Sequence, residues 1–350
     1  MYRSSIRTKA GKLRRGASGL VIFALLASAA SCSTPPLKSP GTPNETTGSL
    51  NGVNVDMSSL VPGTPYTLRT SSGGDFFDFA RQLGIKVIRI VDSREQVTGQ
   101  EYTKAEYRNV YNQAAASGIK IIQLTSGSAR EPWKTQEQLL LQTYGLAKLP
   151  ALWMIDIANE PTVNSPTILS ELKAAASYAH QVAPGIPVTI GGWKFQPPTG
   201  QLIWQRPSDL SYIIGIVNVV SPHLYGYTQA LKSGKSPQLW TRSFLSQVRH
   251  YAQGKPIFLE EWGASNGVAP ASGAGEVQGT LETQATIYQG VLGEVDAERH
   301  LGLLGSTSWI FSPRYPFPGV TGSGNTGWAI VLDNGSKVLP AANAFKDHLN

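Results

Sequence analysis

Eight short apolar runs, set between longer amphipathic stretches, constrain this chain more than any other feature. They are NGVNVDM (51–57), KVIRIVD (86–92), KIIQLTS (120–126), ALWMIDIANE (151–160), PVTIGGW (187–193), IVNVVSPHLYG (216–226), KPIFLEEWG (255–263) and LLGSTSWIF (303–311). Several are rich in Val and Ile and apolar nearly throughout, as strands buried on both faces are. The stretches between them read as helices. DFFDFARQLG ends in Gly84, KAEYRNVYNQAAASG in Gly118, and SELKAAASYAHQVAPG in Pro184-Gly185. Glycine there can take the left-handed conformation that stops a helix, and a strand follows within a few residues. TLETQATIYQGVLGEV precedes the eighth run and AANAFKDHL closes the chain. Strand and helix alternating in this way predict an α/β fold, a single (β/α)8 barrel domain (TIM barrel) over residues 50–350. The rival is a doubly wound open sheet. It needs a binding fingerprint near its first strand, and none is there.

The N-terminus has a different character. Arg3, Arg7, Lys9, Lys12, Arg14 and Arg15 precede an apolar stretch from Gly19 to Ala30, and residues 1–31 contain no acid. A basic region, a short apolar region and small residues before Cys32 make a secretory signal. Twelve apolar residues are too few for a helix that needs about 20 to cross a bilayer. Residues 32–49 are dominated by Pro, Ser, Thr and Gly with little to bury, and read as a disordered tether. The leader also explains the charge. The chain carries 30 Lys+Arg against 23 Asp+Glu, and 30 less the six in the leader is 24, so the remainder is nearly neutral. A nucleic-acid partner needs a basic folded surface and is not expected. One cysteine excludes a disulfide framework and a thiolate zinc cluster.

Barrels of this type work at the C-terminal ends of their strands. The fourth run ends Asn159-Glu160-Pro161 and the seventh ends Glu260-Glu261-Trp262-Gly263. Two acids brought from separate strands to one mouth suit glycosidic bond cleavage, where one protonates the leaving oxygen and the other attacks or stabilises the sugar carbon. Glu260 and Glu261 are neighbours on a strand, so alternation lets only one face the cleft.

"NEP" and "EWG" at these strand ends resemble the catalytic signatures of glycoside hydrolase clan A, and of family 5 in particular. The resemblance implies Glu160 as acid/base and Glu261 as nucleophile, with Glu260 left to packing or a salt bridge. It implies that Asn159 bonds the sugar 2-hydroxyl and that Arg89 in "VIRIV" lies beside the nucleophile. His223 and Tyr225 in "SPHLYGY" are similar to the family's His-x-Tyr pair, and Trp309 in "SWIF" to the floor of its sugar site. Trp193 and Trp262 join the expected substrate-binding set. Bland readings stand beside these: Arg89 paired with a structural acid such as Asp156, His223 as a satisfied core histidine, and Trp309 as structural. Trp133, Trp193, Trp204, Tyr227 and Trp328 could each stack on a sugar or merely pack. One departure separates the chain from many family 5 enzymes, which have a His near the end of the third strand where this sequence reads LTSGSAR. A neighbouring family of the clan therefore stays open.

The resemblance implies a retaining hydrolase of β-glucan or β-mannan type, with no cofactor and no metal, acting as a monomer on a carbohydrate. The alternatives are a surface sugar-binding protein without turnover and a transglycosylase using the same residues. "AASC" is similar to the bacterial lipoprotein box, with Ala29 for the more usual Leu. That implies a lipidated Cys32 and a place at the bacterial cell envelope, with the lipid as the only membrane contact. Ordinary signal cleavage, giving a free secreted product, is the alternative. Gly234-Lys235-Ser236 resembles the tail of a phosphate loop, but Gln229 stands where that motif needs Gly.

Overall fold

The computed structural model describes residues 49–348, apart from 65–66, 70–72, 92–101, 126–134, 136, 162–165, 197–200, 204–212, 269–276, 313–325 and 333–334. The leader, Cys32 and nearly all of the tether lie outside the described residues. So do Trp133, Trp204 and most of the LTSGSAR segment.

The eight apolar runs supply eight parallel strands: β1 (Leu50–Asp56), β2 (Val87–Val91), β3 (Lys120–Leu124), β4 (Leu152–Asn159), β5 (Val188–Gln196), β7 (Ser221–Leu224), β8 (Ile257–Trp262) and β9 (Leu303–Ser308). Each pairs with its neighbour, β4 pairs with β5, and β9 returns to β1, which closes the barrel. A short strand β6 (Gln201–Ile203) folds back antiparallel on β5, and β10 (Val331–Leu332) pairs antiparallel with β11 (Lys337–Val338).

The helices start and stop as local chemistry dictates. α1 (Phe76–Leu83) opens on an Asp75 cap that accepts from the N–H groups of Phe77 and Asp78 and ends on Gly84 at φ 74°. α2 (Lys104–Ala116) opens on a reciprocal Thr103–Glu106 capping box. Gly118 and Gly185 are also left-handed, at φ 69° and 89°, as the sequence suggested. α3 (Pro166–Val182) and α6 (Leu281–Ala297) follow the expected segments. Three elements depart from the reading. A helix α5 (Pro237–Ala252), preceded by a short α4 (Tyr227–Lys232), covers a segment the pattern did not single out. Before β4 the chain forms a π-helical turn over Gln138–Thr143. The sixth run is strand only from Ser221, and residues 213–216 are helical. The last helix, α7 (Ala344–Asp347), is four residues long after a 3-10 turn.

Two apolar layers hold the barrel. Outward strand residues such as Val55, Ile90, Ile155 and Leu259 pack on Phe76, Tyr111, Leu172, Phe244 and Val291 of the helices. Inside, Leu50, Val87, Ile122, Met154, Val219 and Phe258 form a separate plug. Above that plug the interior turns polar. Asn54, Arg89, Asp156, His223 and Glu260 are all buried with relative exposure of 0%, so the plug forms a floor under a charged chamber at the C-terminal ends of the strands. Among the described residues no helix is long and apolar enough to cross a membrane.

Candidate active site

The chamber is organised around Arg89 on β2. Its Nε and Nη2 donate to Asp156 Oδ2 at 3.1 and 2.6 Å, Nη2 donates to Asn159 Oδ1 at 2.7 Å, and Nη1 donates to Asn54 Oδ1 at 3.0 Å and Glu261 Oε1 at 2.6 Å. Arg89 therefore meets both Glu261 and Asp156, the partner that each of its two readings required. Burial works against its charge, but Glu260, Asp156 and Glu261 outweigh that and raise its pKa further. Burial and the neighbouring Glu260 raise Asp156 from 3.8 to about 7, against the pull of Arg89.

Glu261 is held on both oxygens. Tyr225 donates its hydroxyl proton to Oε2 at 2.7 Å, opposite the Arg89 contact. Burial first, then the Glu261 charge, raise the Tyr225 pKa well above 10, so the phenol stays a donor. His223 Nδ1 stands 3.0 Å from Glu160 Oε1 and 3.4 Å from Glu261 Oε2. Burial opposes a charge on this ring, but Glu261, Glu160 and Glu260 overcome it and push its pKa up to about 10. One oxygen from each of Glu160 and Glu261, together with a His223 ring nitrogen, lies within 4.8 Å of the others. Glu160 is partly open, with 22% side-chain exposure, whereas Glu261 retains 7%. The first can reach solvent and the second is shielded.

Irregular strand ends create this convergence. β4 bulges between Asp156 and Asn159, β5 between Gly191 and Trp193, and β8 between Leu259 and Trp262. A bulge re-aims side chains out of strict alternation. The bulge in β4 lets Asp156 and Asn159, three residues apart, both meet Arg89. The bulge in β8 corrects the expectation that only one of Glu260 and Glu261 faces inward. Both do: Glu260 Oε1 lies 3.5 Å from Arg89 Nε and Glu261 Oε1 2.6 Å from Nη1. The expected salt-bridge role of Glu260 holds.

Glu160 itself has φ 46°, rare for a residue with a side chain. Its N–H donates to Gly191 O at 2.7 Å. Gly191 N–H in turn donates to Asp156 Oδ1 at 2.9 Å. Gly192 follows at φ 127°, and a Cβ there would fall 2.4 Å from Glu160 Cα. The glycine pair is thus the bed on which Glu160 lies.

The aromatic residues divide. Trp309, after β9, is half-buried against Tyr225, Ile310 and Trp328, with its N–H bonded to Trp262 O at 2.6 Å. That puts it at the mouth. Trp262 does not line the cleft. It is fully buried with its ring 4.6 Å from Tyr288 on α6, and the substrate-binding expectation for it is corrected: the bulge that brings Glu261 inward beside Glu260 leaves Trp262 facing the helices. Tyr227 is likewise core, and Trp328 is buried edge-on to Tyr225 at 5.3 Å. The Trp193 side chain lies outside the described residues. Gly234 is left-handed in the turn after α4 and belongs to no phosphate loop.

Sequence reasoning missed Asn54, which orients Arg89 and donates to Glu260 O at 3.0 Å, and the Gly191–Gly192 bed. Asn54 is one of three polar residues in β1, with Asn51 and Asp56, and nothing in the strand's pattern singles it out.

No known family model matches the sequence, and no curated protein matches it. Solved structures do. The Ignisphaera aggregans GH53 catalytic domain superposes with a TM-score of 0.63 at 16% identity, over 87% of this chain and 97% of that one. A Bifidobacterium dentium β-glucuronidase complexed with coumarin-3-O-glucuronide gives 0.58 at 17%, over 86% of this chain and 46% of its own. A Ruminococcus gnavus β-glucuronidase in complex with D-glucuronic acid gives 0.60 at 13%, over 87% and 49%. The chain spans about half the length of these two glucuronidases. At such identity the likeness shows the fold, a (β/α)8 barrel that glycoside hydrolases also use.

Proposed function

We propose that the protein is a retaining β-glycosidase of the clan A type, acting on a β-linked oligo- or polysaccharide at the bacterial cell envelope. The observation that carries the reading is the Glu160–Glu261 pair, with one carboxyl oxygen of each within 4.8 Å of the other at the barrel mouth. Retaining enzymes hold their carboxyl groups about 5–5.5 Å apart, and inverting ones leave about 6.5–9.5 Å for a water. Glu261, fixed by Arg89 and Tyr225, attacks the anomeric carbon as Glu160 passes its proton to the departing oxygen. A glycosyl ester forms on Glu261. Water, giving its proton to Glu160, then releases the sugar with its original configuration. Asn159, whose Oδ1 is turned to Arg89, presents its amide to the sugar. Trp309 supplies an apolar floor.

The glycosidases among the structural neighbours support the reaction class, and the resemblance of the NEP and EWG motifs supports the roles. β-Glucan and β-mannan are the first substrates to try. Cys32 is assigned as the lipid-bearing residue, joined by a tether to a monomeric barrel over 50–350.

The test is release of reducing ends from β-glucan, mannan, xylan and short aryl β-glycosides, with NMR of the first-formed anomer. Retention is expected. Glu261→Ala abolishes turnover, and azide added to Glu160→Ala yields a β-glycosyl azide. Full activity in Glu261→Ala removes the assignment, and an inverted first product removes the double displacement.

A further inference from the structure

Two carboxylates in the chamber, Asp156 and Glu260, have no part in the reaction just described, and only Asp156 is hydrogen-bonded. Glu260 is wholly buried, and neither of its oxygens has a hydrogen-bond partner among the described residues. Burying a carboxylate in that state is costly unless opposite charge faces it. It faces two cations, Arg89 Nε at 3.5 Å and His223 Nε2 at 3.7 Å, and that ring nitrogen also has no hydrogen-bond partner. Two backbone features admit it. Alternation from Phe258 in the plug turns it inward, and Gly191 leaves it room, since a Cβ at 191 would lie 2.2 Å from Glu260 Oε2.

The opposite edge of the imidazole faces the catalytic pair, with Nδ1 at 3.0 Å from Glu160 and 3.4 Å from Glu261. A neutral ring carries one N–H. With the proton on Nε2, the Nδ1 lone pair would face the Glu261 carboxylate and would have a donor only while Glu160 keeps its proton, which the reaction takes away. With the proton on Nδ1, the Nε2 lone pair would face Glu260. Only the imidazolium presents a donor to each side.

We infer that Glu260 is a positioning residue whose carboxylate keeps His223 doubly protonated, so that the Nδ1–H edge holds Glu160 in place against Glu261. The kinetic part of this inference rests on the glycosidase reading, whereas the charge state of His223 does not. The direction of the ring's titration agrees, pushed up to about 10 against burial. The other titratable groups around Glu260 are Arg89 on β2, Asp156 on β4 and Glu261 beside it on β8. Arg89 is also satisfied by Asp156, Asn159, Asn54 and Glu261, so loss of the Glu260 charge falls chiefly on His223. At 3.7 Å and an effective dielectric of about 20, an ion pair is worth roughly 3 pH units, and structural relaxation lowers that. Glu260 also persists when Glu261 is consumed as an ester, so the ring keeps a fixed counter-charge beside Glu160, whose own charge comes and goes with its proton.

The experiment is histidine 15N NMR on the full-length protein, wild type and Glu260→Gln, with His223 assigned by its loss in His223→Asn. In wild type both ring nitrogens are expected to be protonated at pH 7. In Glu260→Gln the His223 midpoint falls by about 1–3 units. On an aryl β-glycoside the same variant loses roughly tenfold in kcat with KM unchanged, and its alkaline limb moves to lower pH. Glu260→Asp recovers part of both effects. A His223 midpoint in Glu260→Gln within about 0.3 units of wild type overturns the inference. So does a neutral His223 in wild type at pH 7, a measurement that needs no variant to fold. If the midpoint shifts but wild type turns over no glycoside, the glycosidase reading fails and the Glu260–His223 coupling stands.

Discussion

The Gly191–Gly192 bed under Glu160 makes the sharpest prediction. In Gly192→Ala the new Cβ would sit 2.4 Å from Glu160 Cα, 2.6 Å from its N and 2.8 Å from its Cγ. Two of those atoms are backbone and cannot swing aside. Ordinary contact begins at 3.4 Å, so the shortfall of 3.4 less 2.4 requires the two segments to part by about 1 Å. Gly192 also has φ 127°, which adds roughly 1–3 kcal/mol of strain for an alanine. A misplacement of about 1 Å in a reacting group costs on the order of 100-fold in rate, or about 2.7 kcal/mol of barrier. The displaced group is the proposed acid, so the loss must depend on the leaving group. The assay is kcat/KM on two aryl β-glycosides, one with a dinitrophenolate leaving group that needs no proton and one with a poor phenolate. The expected loss is about 100-fold on the poor leaving group and under about 10-fold on the good one. Equal losses on both would refute the reasoning, because they would report a general collapse of the site. So would retention of full activity.

The remaining predictions test separate parts of the site. Arg89→Lys offers one ammonium where five donors now reach Asp156, Asn159, Asn54 and Glu261, and should lower kcat/KM by roughly 10- to 100-fold in steady-state assays. Trp262→Ala removes a core ring packed on Tyr288. It should cost roughly 3–5 kcal/mol in denaturant unfolding while leaving KM unchanged, and a KM raised many-fold with stability intact would return Trp262 to the cleft. The pKa values of Asp156 and His223 are raised in the folded state, from 3.8 to about 7 and from 6.5 to about 10. The fold therefore binds protons more tightly than the unfolded chain. Their contribution is complete below the unfolded values and is lost as pH climbs through about 7 for Asp156 and about 10 for His223. Calorimetry from pH 6.5 to 10 should show a falling Tm that flattens in His223→Asn, and a rising Tm in wild type would contradict the sign.

The barrel was legible because its signals are local and repeated. Val- and Ile-rich runs declare strands buried on both faces, and Gly84, Gly118 and Gly185 mark helix ends that the structure places in left-handed conformations. α5 escaped notice because its apolar stripe, Trp240, Phe244, Leu245 and Val248, is diluted by Arg242, Arg249 and His250 on the open side. Of the candidate site, the residues whose meaning lies in type and strand end were readable: Arg89, Asn159, Glu160, His223, Tyr225 and Glu261 all meet in one chamber. What sequence could not yield was orientation. Alternation is a rule for regular strands, and β4, β5 and β8 each break it at the mouth. A bulge leaves no residue signature in "FLEEWG", so alternation alone cannot put Glu260 and Glu261 together on the chamber side and Trp262 on the helix side.

These irregularities also bear on what holds the molecule together. The chamber packs Asp156, Glu260 and Glu261 around Arg89 with almost no access to water. Buried ion clusters of this kind rarely stabilise a fold relative to apolar residues of equal volume, whereas deleting one partner is costly. Stability must then come from the apolar plug of Val87, Ile122, Met154 and Phe258 below and from the ring of strand–helix contacts outside. The barrel can accommodate an electrostatically expensive interior at one end because the two apolar layers do not run through it. The bulges sit at the boundary between these regimes, beyond the regular pairing that the layers need. Charge is thereby gathered above the plug, on Arg89, Asp156, His223, Glu260 and Glu261, and the irregular ends of β4 and β8 orient two of these carboxylates without disturbing the apolar layer below.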